Sequence, residues 1–287
     1  MSYLTKWDTF ITNKNMTKII YQWVAGAYMH QAALSIEKDL NVSVKNMQGY
    51  DSFEECWSNY DKDDIMVLAI ENSYAGSIYE NLYKFLKHDV KIIWEYNMEI
   101  NHCLCSKENN INQIKKVYSH FKALPQCYEY LKEKNIIEQE VYPDTAWAAL
   151  MLSQSEEKWA AAICSKLAWE MYGLNILDES IQDQKGNTTR FIVIVPKESK
   201  ITYWKGAWKV SILFAAKDIP SSLYKCLGAF ATNWVNLSKI ESLPDIRTPF
   251  SYLFWLDFEG KLSDTSVQKS LTELEFFTTQ LQILGEY

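Results

Sequence analysis

The sequence predicts an α/β protein of two lobes followed by a smaller β-α-β-β-α-β unit, and three observations predict it. Apolar, strand-like runs alternate with helical stretches as far as Lys200, the order of a sheet covered by helices on both faces. That order breaks near residue 96, where two strand-like runs follow one another, and resumes near residue 178, so two lobes with a cleft between them are expected. Beyond the polar run Pro196-Lys197-Glu198-Ser199-Lys200 the pattern becomes strand, helix, strand, strand, helix, strand, the ferredoxin-like order.

The elements follow in turn. Residues 1–16 carry little pattern and read as an extension. Lys18–Val24 is a strand, and the turn Ala25-Gly26-Ala27 leads into a helix over Tyr28–Leu40. Such a turn can present backbone N–H groups to an anion, although with one glycine a plain βα connection is the better reading. Val42–Gln48 is a short strand, and Ser52-Phe53-Glu54-Glu55 is a capping box opening a helix. Ile65–Ile70 is apolar enough for a strand covered on both faces. It delivers Glu71-Asn72-Ser73-Tyr74-Ala75-Gly76-Ser77 to its carboxyl end, where ligands sit in open α/β sheets. Ser77 is expected to cap a helix running to about Lys87.

Strands are expected at Val90–Trp94, Met98–Ser106 and Lys115–Tyr118, the last ending in Ser119-His120, with a helix carrying Gln126 and Cys127 behind it. Pro143-Asp144-Thr145 begins a helix reaching Ser153, and Trp159–Ile163 is a strand. Ser165 caps a helix to Tyr172, which Gly173 ends. Asn175–Ser180 returns as a strand, and Gly186-Asn187-Thr188-Thr189-Arg190 runs directly into the apolar Phe191–Val195. The last unit reads as a strand at Trp208–Ala216, a helix at Ser221–Asn233, strands at Asn236–Leu243 and Phe250–Phe258, a helix at Ser263–Gln280 and an end at Ile283-Leu284. The expected division is therefore 1–16, a two-lobed domain over 17–197, and a final domain over 206–287. Within the middle domain, lobe one takes about 17–95 and 178–197, and lobe two about 96–177.

Composition excludes several classes. Net charge is −7 with Lys and Arg scattered, which leaves no electrostatic footprint for nucleic acid or an acidic membrane. No leader pattern is visible in Met1–Thr17, and no apolar run approaches the roughly 20 residues of a membrane span. Cys56, Cys103, Cys105, Cys127, Cys164 and Cys226 are dispersed without staple-like spacing and read as reduced thiols of a cytoplasmic protein. His102, Cys103 and Cys105 lack a second ligand pair, and strand alternation sends His102 to the other face, so no metal is expected. Phosphate-binding glycine fingerprints are absent. Of the four histidines, only His120, beside Ser119 at a strand end, is kept as a site candidate.

What remains is a set of strand-end polar groups: Glu71, Asn72 and Ser73; Ser119 and His120; Thr145; Thr188, Thr189 and Arg190. Hydroxyls and amides with one guanidinium suit holding a small anion and stabilising charge as it moves. Arg190 suits a bidentate grip on a carboxylate. By itself, the same stretch also reads as a solvated strand-edge charge beside ordinary β-forming threonines.

Four segments in order resemble the prephenate dehydratases that carry a C-terminal ACT regulatory domain. They are Ile70-Glu71-Asn72-Ser73 with Gly76-Ser77, Tyr118-Ser119-His120 with Gln126-Cys127, Thr188-Thr189-Arg190-Phe191, and Asn236-Leu237-Ser238-Lys239-Ile240-Glu241-Ser242-Leu243-Pro244. The resemblance spans nearly the whole chain from about Thr17. It implies a periplasmic-binding-protein-like catalytic domain that converts prephenate to phenylpyruvate without a cofactor, on the route to phenylalanine. It assigns Thr189 to assist the departing hydroxyl, and Asn72, Ser119 and Gln126 to orient substrate. Arg190, Phe191, Glu71, Ser73, Gly76, Ser77, Thr145, Gly26 and Ala27 would bind substrate. Ser221, Ser222, Leu223, Asn236, Leu237, Glu241 and Ser242 would bind phenylalanine as effector, in a homodimer or tetramer. Trp23 replaces a family glycine, Ala27 a small hydroxyl residue, Phe121 a proline and Leu243 an arginine. Trp23 and Ala27 motivate one alternative, a catalytically silent sensor of aromatic ligands; a second, an arogenate dehydratase, stays open because one sequence does not separate the two substrates.

Overall fold

The structure, a computed structural model, describes residues 17–203 and 208–287; the expected extension over 1–16 lies outside them. Two sheets organise the described residues. The elements of the first lobe are β1 (Thr17–Gln22), α1 (Tyr28–Glu37), β2 (Val44–Tyr50), α2 (Phe53–Ser58), β3 (Ile65–Asn72), β4 (Gly76–Ser77), α3 (Tyr79–Lys84) and β5 (Val90–Glu99). β6 (Cys103–Ser106), β7 (Lys116–His120), α4 (Tyr128–Glu133), β8 (Glu138–Tyr142), α5 (Thr145–Gln154), β9 (Ala160–Cys164), α6 (Lys166–Tyr172) and β10 (Asn175–Asp178) build the second. The chain then re-enters the first sheet as β11 (Thr188–Pro196). The C-terminal unit comprises β12 (Lys209–Ala216), α7 (Ser222–Thr232), β13 (Leu237–Pro244), β14 (Tyr252–Glu259), α8 (Thr265–Glu275) and β15 (Thr278–Glu286).

The second sheet has the order β10-β6-β9-β7-β8. The first runs β13-β14-β12-β15-β5-β11-β3-β1-β2, so the ferredoxin-like sheet of the C-terminal unit continues edge to edge into that of the first lobe. The two halves meet where Gly285 of β15 pairs in parallel with Ile92 of β5. Glycine is required at that join, because a Cβ on residue 285 would sit 2.3 Å from the Ile92 carbonyl oxygen. β3, apolar along its whole buried length, lies between β1, parallel to it, and β11, antiparallel to it.

Local sequence accounts for most element ends. Ser52 Oγ accepts from Glu55 N at the start of α2, as the capping box requires. Ser165 Oγ caps α6 and Gly173, left-handed at φ 65°, closes it. Four expectations are corrected. β5 is one unbroken strand through residue 96, because Glu95, which reads as a polar interruption, is buried against Arg190 and Lys209. Ser77 caps no helix: it pairs with Glu71 as part of β4, and α3 starts beyond it without a side-chain cap. Gln126 lies in a single 3₁₀ turn, Pro125–Cys127, ahead of α4. α8 stops at Glu275, since Thr278–Glu286 gains a place between β12 and β5.

The chain crosses between the sheets twice, at residues 100–102 and 179–187. The two crossings are bonded to each other, through Ile100 N to Asn187 O (2.7 Å) and Ile181 N to His102 O (3.0 Å). No helix among the described residues is long and apolar enough to cross a membrane.

Candidate active site

A cleft of about 460 Å³ opens between the lobes, lined among others by Trp23, Tyr28, Asn72, His102, His120, Lys122, Gln126, Asp144, Thr145, Asn187, Thr189 and Phe191. That size suits a small organic acid. Asn72 at the end of β3 and Thr189 near the start of β11 are paired across the ladder. The register shifts between Arg190 and Phe191, leaving Ile70 unpaired; bulges of this kind re-aim side chains beside sites.

A chain of hydrogen bonds joins the lobes, and its polarity is fixed from one end. Asn72 Oδ1 accepts from the backbone N–H groups of Tyr74 (3.1 Å) and Ala75 (2.9 Å), which can only donate. Asn72 Nδ2 is therefore the donor, to Asn187 Oδ1 at 2.7 Å and to Thr189 Oγ1 at 2.9 Å. Asn187 must then donate through Nδ2 to Gln126 Oε1, at 2.9 Å. The same Gln126 oxygen meets His102 Nε2 at 3.0 Å, so that nitrogen carries the proton. His102 Nδ1, an acceptor in the neutral ring, lies 3.0 Å from the Tyr28 hydroxyl, whose single proton it shares with Asn101 O at 2.8 Å. Burial lowers the pKa of His102 against the opposing effect of Gln126, in keeping with a neutral ring.

Two consequences follow at the cleft. Thr189 Oγ1 is occupied as an acceptor, which leaves its own proton to be donated into the cleft. Gln126 Oε1 is occupied twice, which leaves the Gln126 amino group for a ligand. His120 is pushed down to about 4, first by burial and then by Lys122 and His102, so it too is neutral at ordinary pH. The site thus offers neutral donors rather than a strong acid or base.

Groups able to hold carboxylates are also present. α1 has no side-chain cap among the described residues, so the N–H groups of Tyr28 and Met29 in its first turn can meet an anion at the positive end of the helix. Thr145 Oγ1 is buried with no hydrogen-bond partner among the described residues, and Lys122 stands among the lining residues. Asp144 and Glu80 bring negative charge to the same lining. Burial pushes the Asp144 carboxyl up to about 6, although its bonds from Trp147 and Ala146 N–H favour the ionised form.

Several residues expected at the site face elsewhere. Arg190 does not reach the cleft: its guanidinium donates to Glu95 (2.7 Å), Asp257 (2.6 Å) and the Tyr287 hydroxyl (2.9 Å) on the side of the C-terminal unit. Alternation along a strand sets it opposite Thr189. Glu71, opposite Asn72 for the same reason, binds Lys239 at 2.9 Å. Ser77 donates to Glu241 at 2.7 Å, and Gly76 pairs with Asn72 in β4. Ser119 is fully buried and donates to Ile163 O at 2.8 Å. Ser73 accepts from Thr188 N at 2.9 Å and ties two loops together. Gly26 gives its N–H to His30 Nδ1 and packs on Ala168, while Ala27 is buried at the start of α1. Asn72, Gln126, Thr189, Thr145 and Phe191 do share the cleft.

Sequence reasoning passed over His102, Asn187, Tyr28 and Lys122. Asn187 stood inside the polar turn already singled out, and alternation had already set His102 apart from Cys103 and Cys105. In the C-terminal unit, Ser221 is left-handed (φ 63°) ahead of α7, and Ser222 donates to Phe277 O at 3.3 Å. Leu223 packs on the core of that unit, as does Leu237 from β13. Asn236 and Ser242 lie just before and within β13.

Comparison with known proteins places this geometry. The prephenate dehydratase family model matches residues 19–199. The chain belongs to the prephenate dehydratase family. Its members are lyases, and prephenate and arogenate dehydratases both occur among its relatives. One, the chloroplastic arogenate dehydratase/prephenate dehydratase 2 of Arabidopsis thaliana, is 36% identical over 288 residues, covering 96% of this chain and 74% of that protein. The prephenate dehydratase of Arthrobacter aurescens, solved in complex with L-Phe, superposes with a TM-score of 0.81 at 25% identity, covering 94% of this chain and 89% of that one. A structure described as GqqA, a novel type of quorum quenching acylase, has a TM-score of 0.82 at 28% identity, with 94% and 96% covered.

Proposed function

We propose that the chain is a prephenate dehydratase in which Thr189 supplies the hydrogen bond to the departing hydroxyl. The observation that carries this is the Asn72 Nδ2 to Thr189 Oγ1 bond of 2.9 Å, which turns the Thr189 proton toward the cleft. Prephenate loses its ring carboxylate as CO₂. The electron pair of the broken bond completes the aromatic ring, and the ring hydroxyl departs hydrogen-bonded to Thr189 and takes one proton from solvent to become water. A neutral donor suffices, because aromatisation drives the step and the hydroxyl need only be stabilised as charge builds on it. Gln126 Nε2 is the second donor. The side-chain carboxylate is held by the N–H groups of Tyr28 and Met29 or by Thr145 and Lys122, in place of Arg190. Phe191 and Trp23 form apolar walls.

Arogenate is the second reading, favoured by Asp144 and Glu80 in the lining, which would meet its ammonium group. Residues 17–197 are assigned to catalysis and 206–287 to a regulatory ACT domain working in a homodimer or tetramer. Phenylalanine would bind that domain through Ser221, Ser222, Leu223, Asn236, Leu237 and Ser242. Glu241 is left out, because its carboxylate is taken by Ser77 and Tyr79. The L-Phe complex of the Arthrobacter aurescens protein supports phenylalanine as a ligand.

The test is formation of phenylpyruvate from prephenate and of phenylalanine from arogenate by the purified chain, with and without added phenylalanine. Turnover of either substrate is expected. Binding without turnover of either would support the sensor reading instead.

A further inference from the structure

Asn72 and Thr189 are paired across β3 and β11, and so are their neighbours Glu71 and Arg190. Adjacent strand residues point to opposite faces. One pair therefore lines the cleft, while the other reaches into the C-terminal unit. Arg190 Nη1 donates to Asp257 on β14 and Nη2 to the hydroxyl of Tyr287, the last residue of the chain. Asp257 is fully buried and Tyr287 nearly so, and Asp257 is itself held by Trp255 Nε1 at 2.7 Å. Glu71 takes Lys239 Nζ from β13 at 2.9 Å and lies 3.8 Å from Arg190 Nη1. Beside them, Glu241 accepts from Ser77 and Tyr79, both at 2.7 Å. The C-terminal unit thus grips both strands one residue away from the pair that faces the cleft, and on β11 it does so at the bulge itself.

We propose that Arg190 and Glu71 are positioning residues through which the C-terminal unit sets the approach of Thr189 Oγ1 to Asn72 Nδ2. A guanidinium donates in a rigid planar fork, so with Nε, Nη1 and Nη2 all engaged the backbone at residue 190 has little freedom to slide. Removing one partner loosens the fork, and a misplacement of about 1 Å at a reacting group costs on the order of a hundredfold in rate. Any ligand that repacks the C-terminal unit would reach Thr189 by this route. The kinetic consequence rests on the dehydratase reading of the cleft.

The experiment uses Tyr287→Phe, which deletes one hydroxyl remote from the cleft and keeps the ring. The expected result is a fall in kcat of about tenfold, the scale of one hydrogen bond to a charged group, with KM unchanged. Lys239→Met should give the same split through the Glu71 arm, with kcat restored by Lys239→Arg. Arg247→Ala, which removes a half-exposed side chain from Asp245 and Gln280 in the same unit, should change neither constant. In amide hydrogen exchange, Tyr287→Phe should speed residues 71–73 and 188–190 several-fold and leave β7 and β9 as they were. Unchanged kcat in both Tyr287→Phe and Lys239→Met, or exchange altered evenly over both sheets, would overturn the proposal. If the wild-type chain turns over neither substrate, the dehydratase reading fails, and the exchange pattern alone decides the positioning role.

Discussion

Asn72→Asp tests the polarity of the hydrogen-bond chain without changing its shape. Asp keeps an oxygen for the N–H groups of Tyr74 and Ala75 but puts a second acceptor where Nδ2 stood. Two contacts then fail: 2.7 Å to Asn187 Oδ1 and 2.9 Å to Thr189 Oγ1. Asn187 can recover only by rotating its amide, which sets its oxygen against Gln126 Oε1. Thr189 can recover only by donating to the new carboxylate, a charge-assisted bond stronger than any it can offer a neutral hydroxyl. Its proton is then withdrawn from the cleft. Loss of one such donor costs about 10²–10³ in kcat, or about 2.7–4 kcal/mol of transition-state stabilisation. KM should change little, because the groups proposed to hold carboxylate are untouched. The assay is initial-rate product formation from prephenate and from arogenate, with a thermal melt to establish that the variant is folded. A folded Asn72→Asp protein with kcat within a few-fold of wild type would refute the reasoning.

Three further outcomes are expected. Asp144 has its carboxyl raised from 3.8 to about 6, so its contribution to stability is fully present below about 3.8 and is lost as pH rises through about 6. As it ionises in the cleft it repels a dianion, so kcat/KM for prephenate should fall as pH rises through about 6 while that for arogenate rises; an unchanged profile in Asp144→Asn would contradict this. Trp23 holds a left-handed backbone at φ 78°, a strained state for a bulky residue, and lines the cleft. Trp23→Gly should raise KM several-fold and leave kcat near wild type, whereas a collapse of kcat would show that the indole serves the chemistry. Gly285→Ala forces a Cβ to 2.3 Å from the Ile92 carbonyl oxygen and should destabilise the protein by about 1–3 kcal/mol; a denaturation midpoint equal to wild type would show that the joint between the sheets is loose.

Strand-end position made Asn72 and Thr189 legible in the sequence, since buried apolar runs deliver their first polar residues to the rim of a sheet. The same runs mislead about neighbours. Thr189 and Arg190 read as one polar group in the sequence, yet alternation divides them between the cleft and the C-terminal unit, as it divides Asn72 from Glu71. Ser119 and His120 divide likewise, the serine turning into the second sheet and the histidine toward the cleft. The continuity of β5 was hidden because Glu95 is polar, and its partners Arg190 and Lys209 are remote in sequence. His102 and Asn187 gained their roles from the two crossings between lobes, and nothing local marks a residue as lying at a crossing. The alternation of strands and helices was legible because periodicity and turn chemistry are local properties.

Thr189→Val, read as kcat on the preferred substrate beside Thr189→Ser, tests the central claim most directly. Valine keeps the shape and removes the hydroxyl, so kcat should fall by about two to four orders of magnitude with KM little changed, and serine should retain most of the activity. Wild-type turnover by the folded valine variant would contradict the assignment of Thr189 as the donor to the departing hydroxyl.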